Sequence, residues 1–225
     1  MKKIIYNITP FTTVDYKDHL SCIAWFVSCN MRCKYCYNSQ IVNAKSGNYT
    51  PLDLIAFLKK RIGLLDAVVL SGGEATNHNL LNLCRVVKKL GYKIKLDTNG
   101  LKPDVINELI QNQLIDFIAL DYKAPQNKFT NITKINSNKK FTETLDMLIK
   151  DDFPFEVRTT VHPNLIDEED INSIILDLEQ REYKGTYYLQ NYLHTQENLG
   201  NMQEPNKILN KTLLNSSLKI EYRNY

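Results

Sequence analysis

The sequence predicts an α/β protein built as a partial (β/α)6 barrel of the TIM type, preceded by a short N-terminal strand or hairpin. Three observations carry this. Six short apolar runs alternate with segments whose apolar residues recur every three or four positions, the succession that gives parallel strands with right-handed helical crossovers. The polar residues that break the apolar runs fall mostly at strand carboxyl ends, where such folds gather ligands. The 225 residues, 43% of them hydrophobic, suffice for one large core. A single domain over residues 1–225 is therefore expected, with its core at about 17–195 and a C-terminal helix and edge strand within 205–225.

The elements follow in order. Residues 3–16 carry short β-prone runs that end at the charged turn Lys17-Asp18, which reads as the N-terminal strand or hairpin. The first core strand spans Ser21 to Val27 and leads into a loop holding Cys29, Cys33 and Cys36. Residues 43–48 are polar and loop-like. Thr50 caps a helix with Pro51 at its first position and Ile55, Leu58 and Ile62 on one face, stopped by Gly63.

Ala67 to Leu70 is the second strand and runs into Ser71-Gly72-Gly73-Glu74. A helix bearing Leu80, Leu83, Val87 and Leu90 leads to the strand Ile94 to Leu96, then Asp97-Thr98-Asn99-Gly100. Pro103 opens the next helix. Phe117 to Leu120 is a strand running into Asp121-Tyr122-Lys123. A helix with Phe141, Leu145 and Leu148 precedes the strand Phe155 to Val161, which contains Arg158. Asp167 caps the last crossover helix, and Thr186 to Leu189 ends the series before Gln190-Asn191. Residues 125–140 and 195–207 are rich in Asn and Lys and read as surface loops. A short helix near 208–214 and an edge strand near 218–222 complete the chain.

Composition excludes several classes. The net charge of +3 is too small to argue for nucleic acid as the main partner. No stretch is long and apolar enough for a bilayer, and the N-terminus turns polar at Asn7, too early for a signal peptide. A cytoplasmic location is expected. Five cysteines, three of them clustered, fit metal ligation in a reducing compartment better than a disulfide framework.

Cys29-x3-Cys33-x2-Cys36 is the chemical centre of the sequence. Thiolates hold soft metal centres. A closed zinc site wants four ligands, whereas three cysteines on a 4Fe–4S cube leave one iron open for chemistry. The competing reading is a zinc site completed by Cys22 or His19. Tyr35 lies between the last two cysteines, where a ring can wall a flat ligand. Gly72-Gly73 lets another molecule approach the backbone of a strand end, although a Gly-Gly pair alone is more often a simple turn. Glu74 is placed to accept bonds from a cationic amine.

Asp97 and Asp121 sit at neighbouring strand ends and would repel unless a cation or a lysine such as Lys123 lies between them. The bland alternatives are an Asx turn at residues 97–100 and a surface ion pair at Asp121 and Lys123. Arg158, a charge within a buried strand, should face the barrel mouth and meet an anion, or else cover apolar surface. His194 follows the sixth strand and reaches either the mouth or solvent. Cys22 and Cys84 read as core.

Together, Cys29-x3-Cys33-x2-Cys36 with Tyr35 and the later Gly72-Gly73-Glu74 resemble the radical S-adenosylmethionine superfamily. Val14-Asp15-Tyr16, Ser71 to Ala75, Asp97 to Gly100 and Asp121 to Lys123 extend the resemblance, over roughly residues 8–195, to glycyl-radical-enzyme activating proteins. The short form is most like the activating proteins of anaerobic ribonucleoside-triphosphate reductase, and is also similar to those of pyruvate formate-lyase. The resemblance implies that Cys29, Cys33 and Cys36 hold a 4Fe–4S cluster and that S-adenosylmethionine chelates the fourth iron. It implies Gly72, Gly73 and Glu74 at the methionyl amine, Tyr35 and Tyr37 by the adenine, and Asp121 and Lys123 at the ribose and carboxylate, with Arg158 and His194 as further contacts.

In some relatives the positions of Asp97, Thr98, Asp121 and the Ala119 carbonyl bind a monovalent cation. The implied reaction is reductive cleavage to a 5′-deoxyadenosyl radical that takes hydrogen from a partner enzyme's glycine, with a flavodoxin- or ferredoxin-type electron donor. Two departures stand out. Lys17-Asp18 replaces a common Pro-Gly, and Tyr37 replaces a common His. A radical enzyme acting on a small molecule or peptide, and a non-catalytic iron–sulfur or zinc module, remain alternatives.

Overall fold

The computed structural model describes residues 1–195 and 197–225. Eight strands form one mixed sheet in chain order: β1 (Ile5–Thr12), β2 (Ser21–Phe26), β3 (Ala67–Gly72), β4 (Lys93–Thr98), β5 (Phe117–Asp121), β6 (Phe155–Val161), β7 (Tyr187–Asn191) and β8 (Ile220–Arg223). β1 runs antiparallel to β2, while β2–β3, β3–β4, β6–β7 and β7–β8 are parallel pairs. Helices separate the strands: α1 (Ser39–Asn43), α2 (Pro51–Lys59), α3 (Leu81–Lys89), α4 (Pro103–Gln111), α5 (Gln126–Thr133), α6 (Lys139–Lys150) and α7 (Glu168–Gln180), of which α1 and α5 are not expected from the sequence. No helix among the described residues is long and apolar enough to cross a membrane.

The chain divides into two compact units. The first comprises Met1–Asn30, Gln40–Thr98 and Lys102–Ala119; the second comprises Met31–Ser39, Asn99–Leu101 and Leu120–Tyr225. The chain passes between them five times, first inside the cysteine loop, between Asn30 and Met31.

In the first unit, Ala67, Val68, Val69 and Leu70 are all fully buried, as expected of a parallel strand covered on both faces. Tyr16 packs with Ile23, Ala67 and Val69 in an inner cluster that Trp25 and Phe117 flank. Register places Ile23 beside Val69 and Val69 beside Lys95, so Lys95 shares this interior row. α2 begins with a complete capping box: Thr50 accepts from the Asp53 N–H, and the Asp53 side chain accepts from the Thr50 N–H. α2 ends at Lys59, earlier than its apolar spacing predicts, which leaves Ile62 58% exposed.

In the second unit, Asp167 and Asp170 form the same box at α7. Residues 125–140, expected as a loop, contain α5. Its few apolar residues suffice because Phe129 and Ile132, three apart, are both buried. The expected helix at 208–214 is only a 3₁₀ turn, Lys211–Leu213. α7 side chains bind this segment's backbone instead: Glu168 accepts from the Asn210 N–H, and Asn172 donates to the Leu213 carbonyl.

α5 also positions the cysteine loop. The last carbonyls of a helix have no partners within it. Here Ile132 and Thr133 offer theirs to the N–H groups of Lys34 and Arg32, at 3.0 and 2.9 Å, and Lys134 closes the helix in the left-handed region at φ +63°. Phe129→Ala should therefore lower stability by about 3–5 kcal/mol and speed amide exchange at Arg32 and Lys34. Urea unfolding and hydrogen-exchange measurements check this, and unchanged exchange at those two amides contradicts it.

Candidate functional site

The site residues fall into two groups, one in each unit. In the first unit Cys29 follows β2 directly, half-buried, with its thiol 3.8 Å from Asn30 Oδ1. Gly72 ends β3 and Gly73 follows it. Gly72 has φ +111°, and a Cβ there would lie 2.5 Å from the Phe26 nitrogen; a Cβ on Gly73 would overlap the Ser28 carbonyl oxygen. The first demand on both glycines is therefore internal: the backbone of β3 must run flush against the residues that lead to Cys29. Gly73 and Glu74 donate their N–H groups to Phe26 and Ser28, each at 2.8 Å. On the other side the β3–β4 ladder stops at Leu70 and Leu96, two residues before the glycines.

Glu74 is 1% exposed. Its Oε1 accepts from the Thr76 N–H at 3.2 Å, the Thr76 hydroxyl at 2.7 Å and the Thr98 hydroxyl at 2.8 Å. Three neutral donors thus orient a buried carboxylate. Asp97 Oδ2 accepts from the Ser71 hydroxyl at 3.0 Å, and Lys95 Nζ lies 3.5 Å from Asp97 Oδ1.

In the second unit Cys33 is buried and Cys36 half-buried. Burial pushes the Cys36 thiol up, and the Asn38 N–H and the Lys123 charge draw it partly back. Metal ligation removes such a proton outright. Tyr35 is buried, and its hydroxyl donates to the Lys123 carbonyl at 2.9 Å. The ring thus ties the cysteine loop to the segment after β5. Tyr37 is 49% exposed. The cysteine loop has a further tie, since Leu199 donates its N–H to the Cys36 carbonyl at 3.0 Å.

Asp121, Lys123 and Arg158 form one cluster. Arg158 Nε reaches Asp121 Oδ1 at 2.5 Å, and Lys123 Nζ reaches Oδ2 at 2.9 Å. Their side chains are only 14–20% exposed, so this is not the surface ion pair considered from sequence. Burial alone would raise the Asp121 pKa, but Arg158 and Lys123 outweigh it and bring it down to about 2. Burial alone would lower the Lys123 pKa, but Asp121 outweighs it and holds the ammonium well above its usual range. Asp121 thus draws two cations, Arg158 and Lys123, to one strand end.

His194 is exposed, its ring 6.3 Å from that of Tyr192. Asn99 Oδ1 accepts from the Leu101 N–H, so the Asx turn expected within 97–100 exists, at Asn99 and not at Asp97. Sequence reasoning missed Lys95. The signal was a lysine between Ile94 and Leu96, two residues before Asp97, on an otherwise apolar strand.

The sequence matches the radical SAM superfamily over residues 23–175. The chain belongs to that superfamily. A Methanocaldococcus jannaschii protein provisionally named glycyl-radical enzyme activating enzyme is 34% identical over 184 residues, which are 77% of this chain and 75% of that protein. The pyruvate formate-lyase 1-activating enzyme of Escherichia coli K12 is 29% identical over 176 residues, 74% of this chain and 70% of that one. Among solved structures, Streptococcus suis SuiB bound to S-adenosylmethionine superposes with a TM-score of 0.69 at 13% identity, covering 88% of this chain and 48% of its own. The chain thus spans about half of that protein. QueE from Escherichia coli superposes at 0.54 with 15% identity, covering 85% and 84%. These two likenesses carry the fold.

The radical SAM family implies a 4Fe–4S cluster and S-adenosylmethionine, and this chain's donors fit them. None of Cys29, Cys33 and Cys36 is tied up in a disulfide. Among the described residues no three His, Cys, Asp or Glu side chains converge as on a single ion. A cube does not ask for that, because each thiolate binds a different iron.

The ion cluster gives a pH test. The depressed Asp121 carboxylate contributes stability in full above its unfolded value of ~3.9, and loses it as pH falls toward about 2. Arg158→Met removes the strongest cause of the depression, so acid unfolding should begin at higher pH. Circular dichroism during acid titration measures this, and an unmoved midpoint contradicts it.

Proposed function

We propose that this chain is a glycyl-radical-enzyme activating protein, acting as a single radical SAM domain over residues 1–225, and that its partner is an anaerobic ribonucleoside-triphosphate reductase. The observation that carries the reading is the set Cys29, Cys33 and Cys36: three cysteines outside any disulfide, spaced x3 and x2 on one loop directly after β2. The chain around them matches a relative named for this activity over three quarters of both lengths.

In this reading the three thiolates hold three irons of a 4Fe–4S cluster. With an electron from a reduced donor protein, such a cluster and S-adenosylmethionine would supply reductive cleavage of the sulfonium and a radical able to take hydrogen from the partner's glycine Cα. The residues of the chain do the holding. Gly72 and Gly73 present a strand edge released from β4, and Glu74 offers its buried carboxylate to the methionyl amine. Lys123 and Arg158, fixed by Asp121, face the methionyl carboxylate and ribose region. Tyr35 sets the loop, while Tyr37 and His194 serve as outer contacts near the adenosine. A flavodoxin- or ferredoxin-type protein of the cytoplasm delivers the electron.

The test is anaerobic. Reconstituted protein, reduced and mixed with S-adenosylmethionine and the reductase from the same genome, should produce a glycyl-radical doublet in electron spin resonance. Cys33→Ala should cut S-adenosylmethionine cleavage by more than about 100-fold. Cleavage by the wild type with no doublet on the reductase, but with a modified peptide or small molecule, overturns the partner assignment.

A further inference from the structure

The resemblance places a monovalent cation at Asp97, Thr98, Asp121 and the Ala119 carbonyl in some relatives. Both carboxylates of that set already face side-chain cations in this chain. In the second unit Asp121 is bound by Arg158 and Lys123. In the first, Lys95 Nζ lies 3.5 Å from Asp97 Oδ1, with side chains only 5% and 12% exposed.

We infer that Lys95 is a built-in counter-cation for Asp97, and that this chain binds S-adenosylmethionine without a monovalent metal ion. Strand register explains how a lysine comes to be there. Ile23, Val69 and Lys95 are neighbours in one row of the sheet interior. Asp97 lies two residues further along β4 on the same face, and the Ser71 hydroxyl holds its Oδ2 at 3.0 Å. A buried ammonium in an apolar row needs compensation. Lys95 finds it in Asp97 and in the Asp15 carbonyl, which accepts from Nζ at 2.5 Å.

The Asp15 contact fixes the head group. Thr12 donates to Asp15 Oδ2 at 2.5 Å, and the following residue, Tyr16, is buried in the inner cluster, so the carbonyl is anchored at both sides. The ammonium is therefore fixed by its bond to the Asp15 carbonyl, and it meets Asp97 Oδ1 at 3.5 Å as an ion pair and not as a hydrogen bond. A metal ion joining Asp97 would stand beside a fixed like charge, which disfavours it. Lys95 is a positioning residue: it sets the charge and place of Asp97 and needs no contact with the substrate.

The inference rests on the S-adenosylmethionine-binding part of the reading above and is independent of the partner enzyme. Wild-type binding in potassium buffer is the control that separates the two failures. Equilibrium dialysis of S-adenosylmethionine with anaerobically reconstituted protein, in potassium chloride and in choline chloride, is the test. ²⁰⁵Tl⁺ magnetic resonance on the same samples reports ion binding directly. Wild type should show less than about a twofold difference between the salts and no bound thallium. Lys95→Gln should bind at least about tenfold more weakly in choline and recover in potassium. A tenfold loss by wild type in choline, thallium bound to wild type, or a folded K95Q protein that is unaffected or not rescued overturns the inference. Should K95Q fail to fold, the two wild-type measurements decide the matter.

Discussion

The structure depends on the pairing of charges that the strands carry into an apolar interior. A carboxylate withdrawn from water is tolerated only when donors or cations meet it. Each acidic residue of the candidate site meets that condition differently. Glu74 has hydroxyl and amide donors from Thr76 and Thr98. Asp97 has Ser71 and Lys95, and Asp121 has two full cations. The pairings fix where each side chain points, and so preorganise the strand ends before any ligand arrives.

The cysteine loop obeys a second constraint. In the proposed function this loop offers three thiols to one inorganic cluster, so its backbone must be held by other groups. Main-chain bonds hold it. α5 carbonyls take the N–H groups of Arg32 and Lys34, Leu199 bonds the Cys36 carbonyl, and Tyr35 reaches across to Lys123. None of these main-chain ties uses a cysteine side chain. The same economy explains Gly72 and Gly73, which lack side chains because β3 passes hard against Phe26 and Ser28.

Much of this was legible in the sequence. The parallel strands announce themselves as unbroken apolar runs, since both faces of such strands are covered. Thr50 with Pro51, and Asp167, mark helix starts through chemistry local to the chain. The three cysteines carry their meaning in their spacing. What stayed hidden is long-range. Nothing near Asp121 says that its partner is Arg158, 37 residues on. Nothing near Lys34 says that α5 will hold it. α5 itself hid behind Asn and Lys, because two buried residues anchor it and a pattern needs more. Lys95 looked like one strand lysine among several until register set it beside Val69.

The proposed function rests on three cysteines gripping a cube that has one corner left for another molecule. Iron and sulfide analysis with Mössbauer spectra of anaerobically reconstituted protein tests this most directly. The account predicts about four irons and four sulfides per chain, with one iron whose signal changes on adding S-adenosylmethionine. Zinc without sulfide, or a cluster whose four irons all ignore S-adenosylmethionine, would contradict it.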